Sequence, residues 1–84
     1  MYEVVLTPQS KKDLSRLSKD VQIRIVEKLK YFSSNNTPLF FSKPLINLPP
    51  STHRFRVGNY RIAFFISGLK IIIHRIRHRK EVYQ

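Results

Sequence analysis

The segment of residues 54 to 66, RFRVGNYRIAFFI, constrains the fold most, because charged or small side chains alternate with apolar ones on both sides of a Gly-Asn pair. A Gly-Asn pair between two alternating runs predicts a β-hairpin with a two-residue turn. In that hairpin Arg56 lies opposite Arg61, and Arg54 lies opposite Ala63. Since a shift by one residue would bury these arginines, the pattern specifies a single register.

Each strand of this hairpin has a core-facing and an outward-facing side, because successive side chains point to opposite faces of a sheet. The predicted core-facing residues are Phe55, Val57, Tyr60, Ile62, Phe64 and Ile66. The outward face carries Arg54, Arg56 and Arg61, with no Asp or Glu nearby in the sequence. Like charges in facing positions destabilise a hairpin, whereas guanidinium groups are well suited to bind phosphate. We therefore predict a phosphate-binding face, with an ordinary solvated sheet face as the alternative.

The distribution of charge along the chain also indicates an anionic ligand. Sixteen Lys and Arg against five Asp and Glu give a net charge of +11. From Lys28 to Lys80, both included, there are eleven Lys and Arg residues and no acidic one, and all three histidines lie in the same stretch. This imbalance predicts nucleic acid, an anionic membrane surface or an acidic protein as the partner. A generally basic protein without such a partner is the alternative.

The N-terminal half of the chain predicts one strand followed by a helical hairpin. Residues 2 to 6 are typical of a strand, and Thr7 followed by Pro8 predicts the start of a short helix. Asp20 is the predicted N-cap of a second helix, which ends at the helix-breaking residues 33 to 38. The predicted apolar stripe of this second helix consists of Val21, Ile25, Val26, Leu29 and Phe32.

The C-terminal half predicts an irregular connection and then three strands. Residues 38 to 53 contain four of the five prolines and show no period, so we expect a long loop. Its apolar residues are expected to pack at the edge of the core: Leu39, Phe40, Phe41, Leu45, Ile46 and Leu48. Strands are predicted at 54 to 57, 60 to 66 and 70 to 77. The order β-α-α-β-β-β predicts a single α+β domain over residues 1 to 84, with the helical hairpin on one face of an antiparallel sheet.

The last strand and the C-terminal tail add basic groups to the outward face. If Ser67 and Gly68 form a two-residue turn, His74 lies opposite Arg61, although a three-residue loop would reverse the faces. Basic residues also cluster where this strand ends: Arg75, Arg77, His78, Arg79 and Lys80. Tyr83 adds an aromatic ring beside them, and basic groups interleaved with an aromatic suit single-stranded RNA. A ring that folds onto the sheet edge is the alternative for Tyr83.

Several classes of protein are excluded by composition. The chain has no cysteine, so it has no disulfide framework and no thiolate metal site, which fits a cytoplasmic location. Its longest apolar run, residues 62 to 66, is too short to cross a membrane, and the N-terminus has no signal-peptide pattern. The three histidines lack the spacing and the neighbouring carboxylates of a metal site, so we predict no metal and no cofactor.

Three segments together resemble a known family. KPL at 43 to 45, RFRVGNYRI at 54 to 62 and HRKEVY at 78 to 83 are similar to the RelE/ParE superfamily of toxins of type II toxin–antitoxin systems. The predicted element order is also that of this family, so the resemblance extends over the chain. It implies a toxin of the RelE branch, an endoribonuclease that cleaves messenger RNA, usually on the ribosome, without a metal. It also implies a hetero-oligomer with a cognate acidic antitoxin, similar to RelB.

The resemblance implies roles for individual residues of this chain. Arg54 and Arg56 occupy positions of basic side chains, and Arg61 matches an arginine that stabilises the scissile phosphate. Arg79 matches an arginine that protonates the leaving oxygen, and Tyr83 matches a tyrosine that contacts the substrate nucleotide. The remaining basic residues near these positions are predicted to contact RNA: Lys43, His74, Arg77, His78 and Lys80.

Arg56 is a chemically important departure from the family, some members of which have lysine there. An arginine stays protonated at neutral pH, so Arg56 is a poor general base for the 2′-hydroxyl. Either His78 or His74 serves as the base, or the arginines act mainly by stabilising the charged transition state. The alternatives for the whole protein are a DNA gyrase inhibitor of the ParE branch and a catalytically inactive member of the fold.

Overall fold

A computed structural model describes residues 1–82 and shows an α+β fold with a five-stranded sheet. Strand β1 (Glu3–Leu6) is followed by helices α1 (Pro8–Ser15) and α2 (Lys19–Ser33) and by a 3₁₀ helix at Pro38–Phe41. Four strands and a short helix complete the order: β2 (Ser42–Pro44), β3 (His53–Val57), β4 (Tyr60–Ser67), β5 (Lys70–His78) and α3 (Arg79–Val82). The sheet order is β1-β5-β4-β3-β2, with β1 parallel to β5 and the other pairs antiparallel. The predicted fold class is confirmed.

The two longer helices begin with side-chain caps. The Thr7 hydroxyl oxygen accepts a hydrogen bond from the Ser10 amide at 3.2 Å, and Pro8 follows Thr7 as predicted. The predicted cap of α2 is wrong, because Ser18 rather than Asp20 holds that position and accepts from the Val21 amide at 3.4 Å. Asp20 lies instead in the first turn, where its charge complements the positive end of the helix.

The core lies between α2 and the sheet and contains stacked aromatic rings. Phe32 of α2 stacks on Phe55 of β3 at 4.5 Å between centroids, and Phe55 stacks on Phe64 of β4 at 4.1 Å. The predicted core face of the first hairpin is confirmed, since Phe55, Val57, Ile62 and Phe64 are buried and Tyr60 and Ile66 pack against them. The predicted stripe of α2 fails at Val26, which is 36% exposed.

The connection predicted as an irregular loop contains regular structure. Residues 42 to 44 form strand β2, which pairs with β3, so Lys43 lies opposite Arg54. Its apolar residues do not all pack on the core, because Leu39, Phe40 and Ile46 are exposed whereas Phe41 packs against it. The proline-rich sequence did not predict this three-residue strand. The strand lies at the edge of the sheet, where proline is tolerated.

The second hairpin differs from the predicted register. Ser67 pairs with Lys70, so the turn consists of Gly68 and Leu69 rather than Ser67 and Gly68. Gly68 has a φ of +60°, which glycine adopts without strain. Phe64 pairs with Ile73 but Ala63 pairs with Arg75, which makes His74 the extra residue of a β-bulge.

No helix within residues 1–82 is long and apolar enough to cross a membrane.

Candidate phosphate-binding face

Strand register aligns basic side chains in two rows across the outward face of the sheet. In the first row Lys43 lies opposite Arg54, Arg54 opposite Ala63, and Ala63 opposite Arg75. In the second row Arg56 lies opposite Arg61, as predicted, and Arg61 lies opposite Arg77. Directly opposed residues on neighbouring strands share a face of the sheet. Four strands therefore present one basic face, formed by Lys43, Arg54, Arg56, Arg61, Arg75 and Arg77.

A hollow interrupts the first row at Ala63, whose side chain is too short to fill the space between its neighbours. Leu45 and Leu48 of the β2–β3 connection form an apolar wall of this hollow. The side chains of Arg54, Arg61, Arg75 and Arg77 complete its lining. The sequence analysis identified the small residue correctly but did not predict the leucine wall.

The arginines of the basic face differ in depth. Arg61 is only 7% exposed and lies at the floor, Arg54 and Arg77 are half-buried, and Arg56 is exposed at the rim. Nη1 of Arg54 donates a hydrogen bond to the Pro44 carbonyl oxygen at 3.3 Å. This bond orients the Arg54 side chain toward β2. Because the local dielectric falls with burial, an anion at the floor interacts with Arg61 more strongly than an anion at the rim interacts with Arg56.

A buried carboxylate from helix α1 holds the β5 end of the first row. Asp13 forms the ion pair on this face within residues 1–82, with Arg75 Nε donating to Oδ2 at 2.9 Å and Nη2 donating to Oδ1 at 3.4 Å. The Ile76 amide also donates to Asp13 Oδ2 at 2.9 Å, and Gln9 donates to Oδ1 at 3.2 Å. Nothing in the sequence pattern of α1 marked Asp13 as part of the site.

Electrostatics keep the Asp13 carboxyl ionised. Burial alone raises its pKa, but hydrogen bonds from Arg75, Ile76 and Gln9, together with the positive charge of Arg75, hold the pKa below the ordinary value of 3.8. Asp13 is therefore a carboxylate at neutral pH, and Arg75 remains paired with it.

His74 does not occupy the predicted position opposite Arg61. The turn at Gly68 and Leu69 would by itself place Ile76 opposite Arg61, and the bulge moves this pairing to Arg77. Nδ1 of His74 lies 2.9 Å from the hydroxyl of Ser51, a buried residue of the β2–β3 connection, and the His74 carbonyl oxygen accepts from the Thr7 hydroxyl at 3.3 Å. Burial lowers the pKa of His74, and the charges of Arg75 and Arg77 lower it further, partly offset by Asp13. His74 is thus neutral at pH 7 and attaches the connection to the sheet.

His78 is oriented by the helical turn that follows it. Its Nδ1 accepts a hydrogen bond from the Lys80 amide at 3.2 Å, so the neutral ring carries its proton on Nε2. In this form Nε2 donates a hydrogen bond. This favours contact with a phosphate oxygen over abstraction of a proton from a hydroxyl group.

The tail is anchored beside the turn of the first hairpin. The Arg79 amide donates to the Asn59 carbonyl oxygen at 2.7 Å, which brings helix α3 to the same end of the sheet as the Arg56–Arg61 pair. Arg79 and Lys80 are exposed on this helical turn. Tyr83, the predicted aromatic contact, lies outside the described residues.

The fold and the basic face define a class of protein, a small α+β domain with two rows of basic residues across one face of its sheet. A sequence model of the family described as "ParE toxin of type II toxin-antitoxin system, parDE" matches residues 4–83. The chain therefore belongs to this toxin family, and the predicted RelE/ParE resemblance is confirmed.

Solved structures of related toxins share the fold. The chain is similar to the toxin–antitoxin complex RelBE2 from Mycobacterium tuberculosis, with a TM-score of 0.76 and 29% identity over 93% of this chain and 98% of that one. It is also similar to the RelB–RelE antitoxin–toxin complex from Methanococcus jannaschii, with a TM-score of 0.71 and 27% identity over 94% of both chains. The archaeal RelE–RelB complex from Pyrococcus horikoshii, with a TM-score of 0.73 and 24% identity over 93% of this chain and 94% of that one, shows the same fold.

A curated relative is similar over a shorter region. Toxin RelE3 of Methanocaldococcus jannaschii is 52% identical over 31 residues, which is 37% of this chain. The match spans 35% of the length of that relative.

Proposed function

We propose that this toxin is a metal-independent endoribonuclease of the RelE type, which cleaves messenger RNA in the cytoplasm and so stops translation. The observation that carries the proposal is the alignment of basic side chains in two rows across four neighbouring strands. Repulsion within these rows is relieved when RNA phosphates lie against them. The apolar wall of Leu45 and Leu48 excludes water from one side of the hollow and strengthens the interaction.

In the proposed reaction the 2′-oxygen of one nucleotide attacks the adjacent phosphorus. The 2′-O–H proton passes to solvent water, a bond forms between the 2′-oxygen and phosphorus, and the bond from phosphorus to the 5′-oxygen breaks. The products are a 2′,3′-cyclic phosphate and a 5′-hydroxyl. Arg61, at the floor, stabilises the charge that develops on the phosphorane, and Arg79 supplies a proton to the leaving oxygen.

The other residues of the site bind and orient the RNA. Arg54 and Arg56 hold the phosphates next to the cleaved one, and Tyr83 contacts the substrate nucleotide. Lys43, Arg77, His78 and Lys80 contact neighbouring phosphates, and the Nε2–H of His78 is a suitable donor for this purpose. His74 supports the site through Ser51, because its Nδ1 is already within hydrogen-bond distance of that hydroxyl. Catalysis then depends mainly on electrostatic stabilisation by arginines rather than on a strong base.

The proposed partner is an acidic antitoxin similar to RelB. A chain with a net charge of +11 and an arginine-lined face is complementary to an acidic segment. The similar chains from Mycobacterium tuberculosis and Methanococcus jannaschii were crystallised as toxin–antitoxin complexes, which supports the same arrangement here. Such an antitoxin silences the toxin by forming a hetero-oligomer with it.

Induction of the toxin in cells tests the proposal. Primer extension on messages is expected to show new 5′ ends after induction of the wild-type protein and none after induction of Arg61→Ala. Lys70→Ala is the matched control, because it removes one exposed positive charge at the other end of β5. Full message cleavage by Arg61→Ala would contradict the proposal.

Inhibition of DNA gyrase is the second candidate, because the family model that matches the chain is that of ParE toxins. A gyrase inhibitor would block supercoiling by purified gyrase and induce DNA damage signalling, while messages remain intact. If induction produces neither effect, the chain is a catalytically inactive member of the fold.

A further inference from the structure

Exposed apolar side chains lie together beside strand β2, outside the basic face. They are Tyr31 near the end of α2 and Leu39 and Phe40 of the 3₁₀ helix, and we call these three residues the aromatic patch. Phe40 is 82% exposed, Tyr31 is 55% exposed, and Leu39 is also exposed. Single exposed apolar residues are ordinary, whereas neighbouring ones mark a surface that binds another macromolecule.

Phe41 joins the two rings of the aromatic patch and attaches them to the core. The Tyr31 ring meets the Phe41 ring edge to face at 5.4 Å between centroids, and the Phe40 ring meets it in the same way at 5.5 Å. Phe41 in turn stacks on the core residue Phe32 at 5.1 Å. Because one half-buried ring holds both exposed rings, binding of a partner costs less side-chain entropy than it would on a mobile surface.

The surroundings of the aromatic patch are positively charged. Nζ of Lys28 lies 6.0 Å from the centroid of the Tyr31 ring. Lys30 and Lys43 are exposed and lie within three positions of the patch in the sequence. Glu27, four positions before Tyr31, is the acidic residue nearest to the patch along the chain. Three lysines against one glutamate favour a partner segment that combines apolar side chains with carboxylates.

The neighbouring edge of the sheet is unsuited to bind such a segment as an added strand. Two residues of β2 direct their backbone groups outward, Ser42 and Pro44, because the hydrogen bond from the Leu45 N–H to the Thr52 carbonyl oxygen shows that alternate residues face β3. The Ser42 N–H already donates to the Leu39 carbonyl oxygen, and proline has no N–H. Since this edge offers an added strand no donor within residues 42 to 44, a partner contacts the patch through side chains.

From these observations we infer that the aromatic patch is a docking surface for the antitoxin, through an acidic segment whose apolar side chains pack on Phe40 and Tyr31. The inference rests on the proposed function, which supplies the antitoxin as the partner. It adds a contact that is separate from the arginine rows, so binding at the patch and cleavage of RNA depend on different residues.

Two other occupants fit the aromatic patch less well. A second copy of this chain is disfavoured because each copy carries a net charge of +11 and the two repel each other. Single-stranded RNA also stacks on exposed rings, but one of the three patch residues is the aliphatic Leu39, and the patch lies outside the aligned arginines. An acidic segment with apolar side chains satisfies both the rings and the lysines.

The experiment measures the affinity of purified toxin variants for the acidic protein encoded beside the toxin gene, in parallel with cleavage of single-stranded RNA. Phe40→Ser is expected to raise Kd for that protein at least about thirtyfold, as for the loss of an interface hot spot, and Tyr31→Ser about tenfold. Leu69→Ser is the matched control, because it removes an exposed apolar side chain from the turn between β4 and β5. All three variants are expected to cleave RNA at the wild-type rate. In cells, Phe40→Ser should arrest growth even when the antitoxin is co-expressed.

Two further substitutions of Phe40 test the charge of the docked segment. Phe40→Glu and Phe40→Lys both remove the ring but introduce opposite charges, so an acidic segment is expected to bind Phe40→Lys more tightly than Phe40→Glu. Added salt should reduce this difference in affinity. Equal affinities of the two variants would contradict an acidic segment at the patch. Thermal unfolding of every variant identifies loss of affinity through unfolding.

The remaining outcomes separate this inference from the proposed function. Wild-type affinity for the antitoxin in folded Phe40→Ser and Tyr31→Ser would overturn the inference alone. Loss of RNA cleavage with intact antitoxin binding would assign the patch to RNA, and a wild-type dimer that Phe40→Ser converts to a monomer would assign it to a second copy; either result overturns the inference. If the wild-type toxin binds the antitoxin through the patch but cleaves no RNA, the ribonuclease proposal fails and the inference stands. If the wild-type toxin does not bind the acidic protein, the proposed partner and the inference fail together.

Discussion

Arg56 and Arg61 lie directly opposite each other on neighbouring strands, one exposed at the rim of the basic face and the other 7% exposed at its floor. Two positive charges in this arrangement repel each other in the free protein and attract an anion that lies between them. The site is therefore assembled at some cost in stability, and this cost can be measured.

Replacement of Arg56 by threonine is expected to stabilise the free protein. The change removes one of two opposed charges and introduces a residue that favours strands, so the free energy of unfolding should rise by about 0.2–1 kcal/mol. Urea unfolding at low salt measures this change, and added salt should reduce it. Lys70→Thr is the control, because Lys70 lies opposite Glu3 and its removal relieves no repulsion. A less stable Arg56→Thr protein would contradict this account.

Loss of Asp13 is expected to change stability in a pH-dependent way. The folded protein holds the pKa of this carboxyl below its ordinary value of 3.8, so ionised Asp13 stabilises the folded state at pH values above that value. This contribution disappears as the pH falls through the pKa of the folded state. The wild-type protein should therefore exceed Asp13→Asn in stability by about 1–3 kcal/mol near neutral pH. Unfolding measured from pH 7 down to pH 2 should show the difference shrinking below about pH 4. A difference that is independent of pH would exclude the ionised form as its source.

His74 is expected to titrate below the ordinary histidine value of 6.5. Burial is the main cause, and the charges of Arg75 and Arg77 add to it. Arg75→Gln should therefore raise the pKa of His74 only part of the way toward its ordinary value. NMR titration of the His74 ring measures its pKa in both proteins. A pKa of His74 above 6.5 in the wild-type protein would show that the ring is not buried beside these charges.

Binding of single-stranded RNA is expected to weaken steeply with salt. Each phosphate contacted by a basic side chain contributes about 0.7 to the slope of log K against log salt concentration for a single strand. Arg77→Gln should reduce the slope by about 0.7, since Arg77 is half-buried in the second row. Lys70→Gln also removes one positive charge, but at a position away from the basic face, so it should leave the slope unchanged. Equal effects of both substitutions would indicate that the net charge rather than the face determines binding.

The sequence predicted the first hairpin because its turn and its alternation agree on one register. The second hairpin was predicted wrongly because Ser67, Gly68 and Leu69 offer more than one turn position and the isoleucine run of β5 does not alternate. The bulge at His74 shifts the pairing of β5 by one residue, and the ion pair of Asp13 with Arg75 joins residues 62 positions apart. A contact of that separation leaves no local pattern, so the sequence predicted the arginines of the site but not the carboxylate that positions one of them.

The most direct test of the central claim is cleavage of a defined single-stranded RNA by the purified toxin, with and without ribosomes, followed by identification of the new ends. The wild-type protein should produce a 2′,3′-cyclic phosphate and a 5′-hydroxyl without added metal, and Arg61→Ala should lose at least about a hundredfold in rate. Lys70→Ala should cleave at the wild-type rate. Retention of the full rate in folded Arg61→Ala, or no cleavage by the wild-type protein under either condition, would contradict the assignment of the arginine rows as a ribonuclease site.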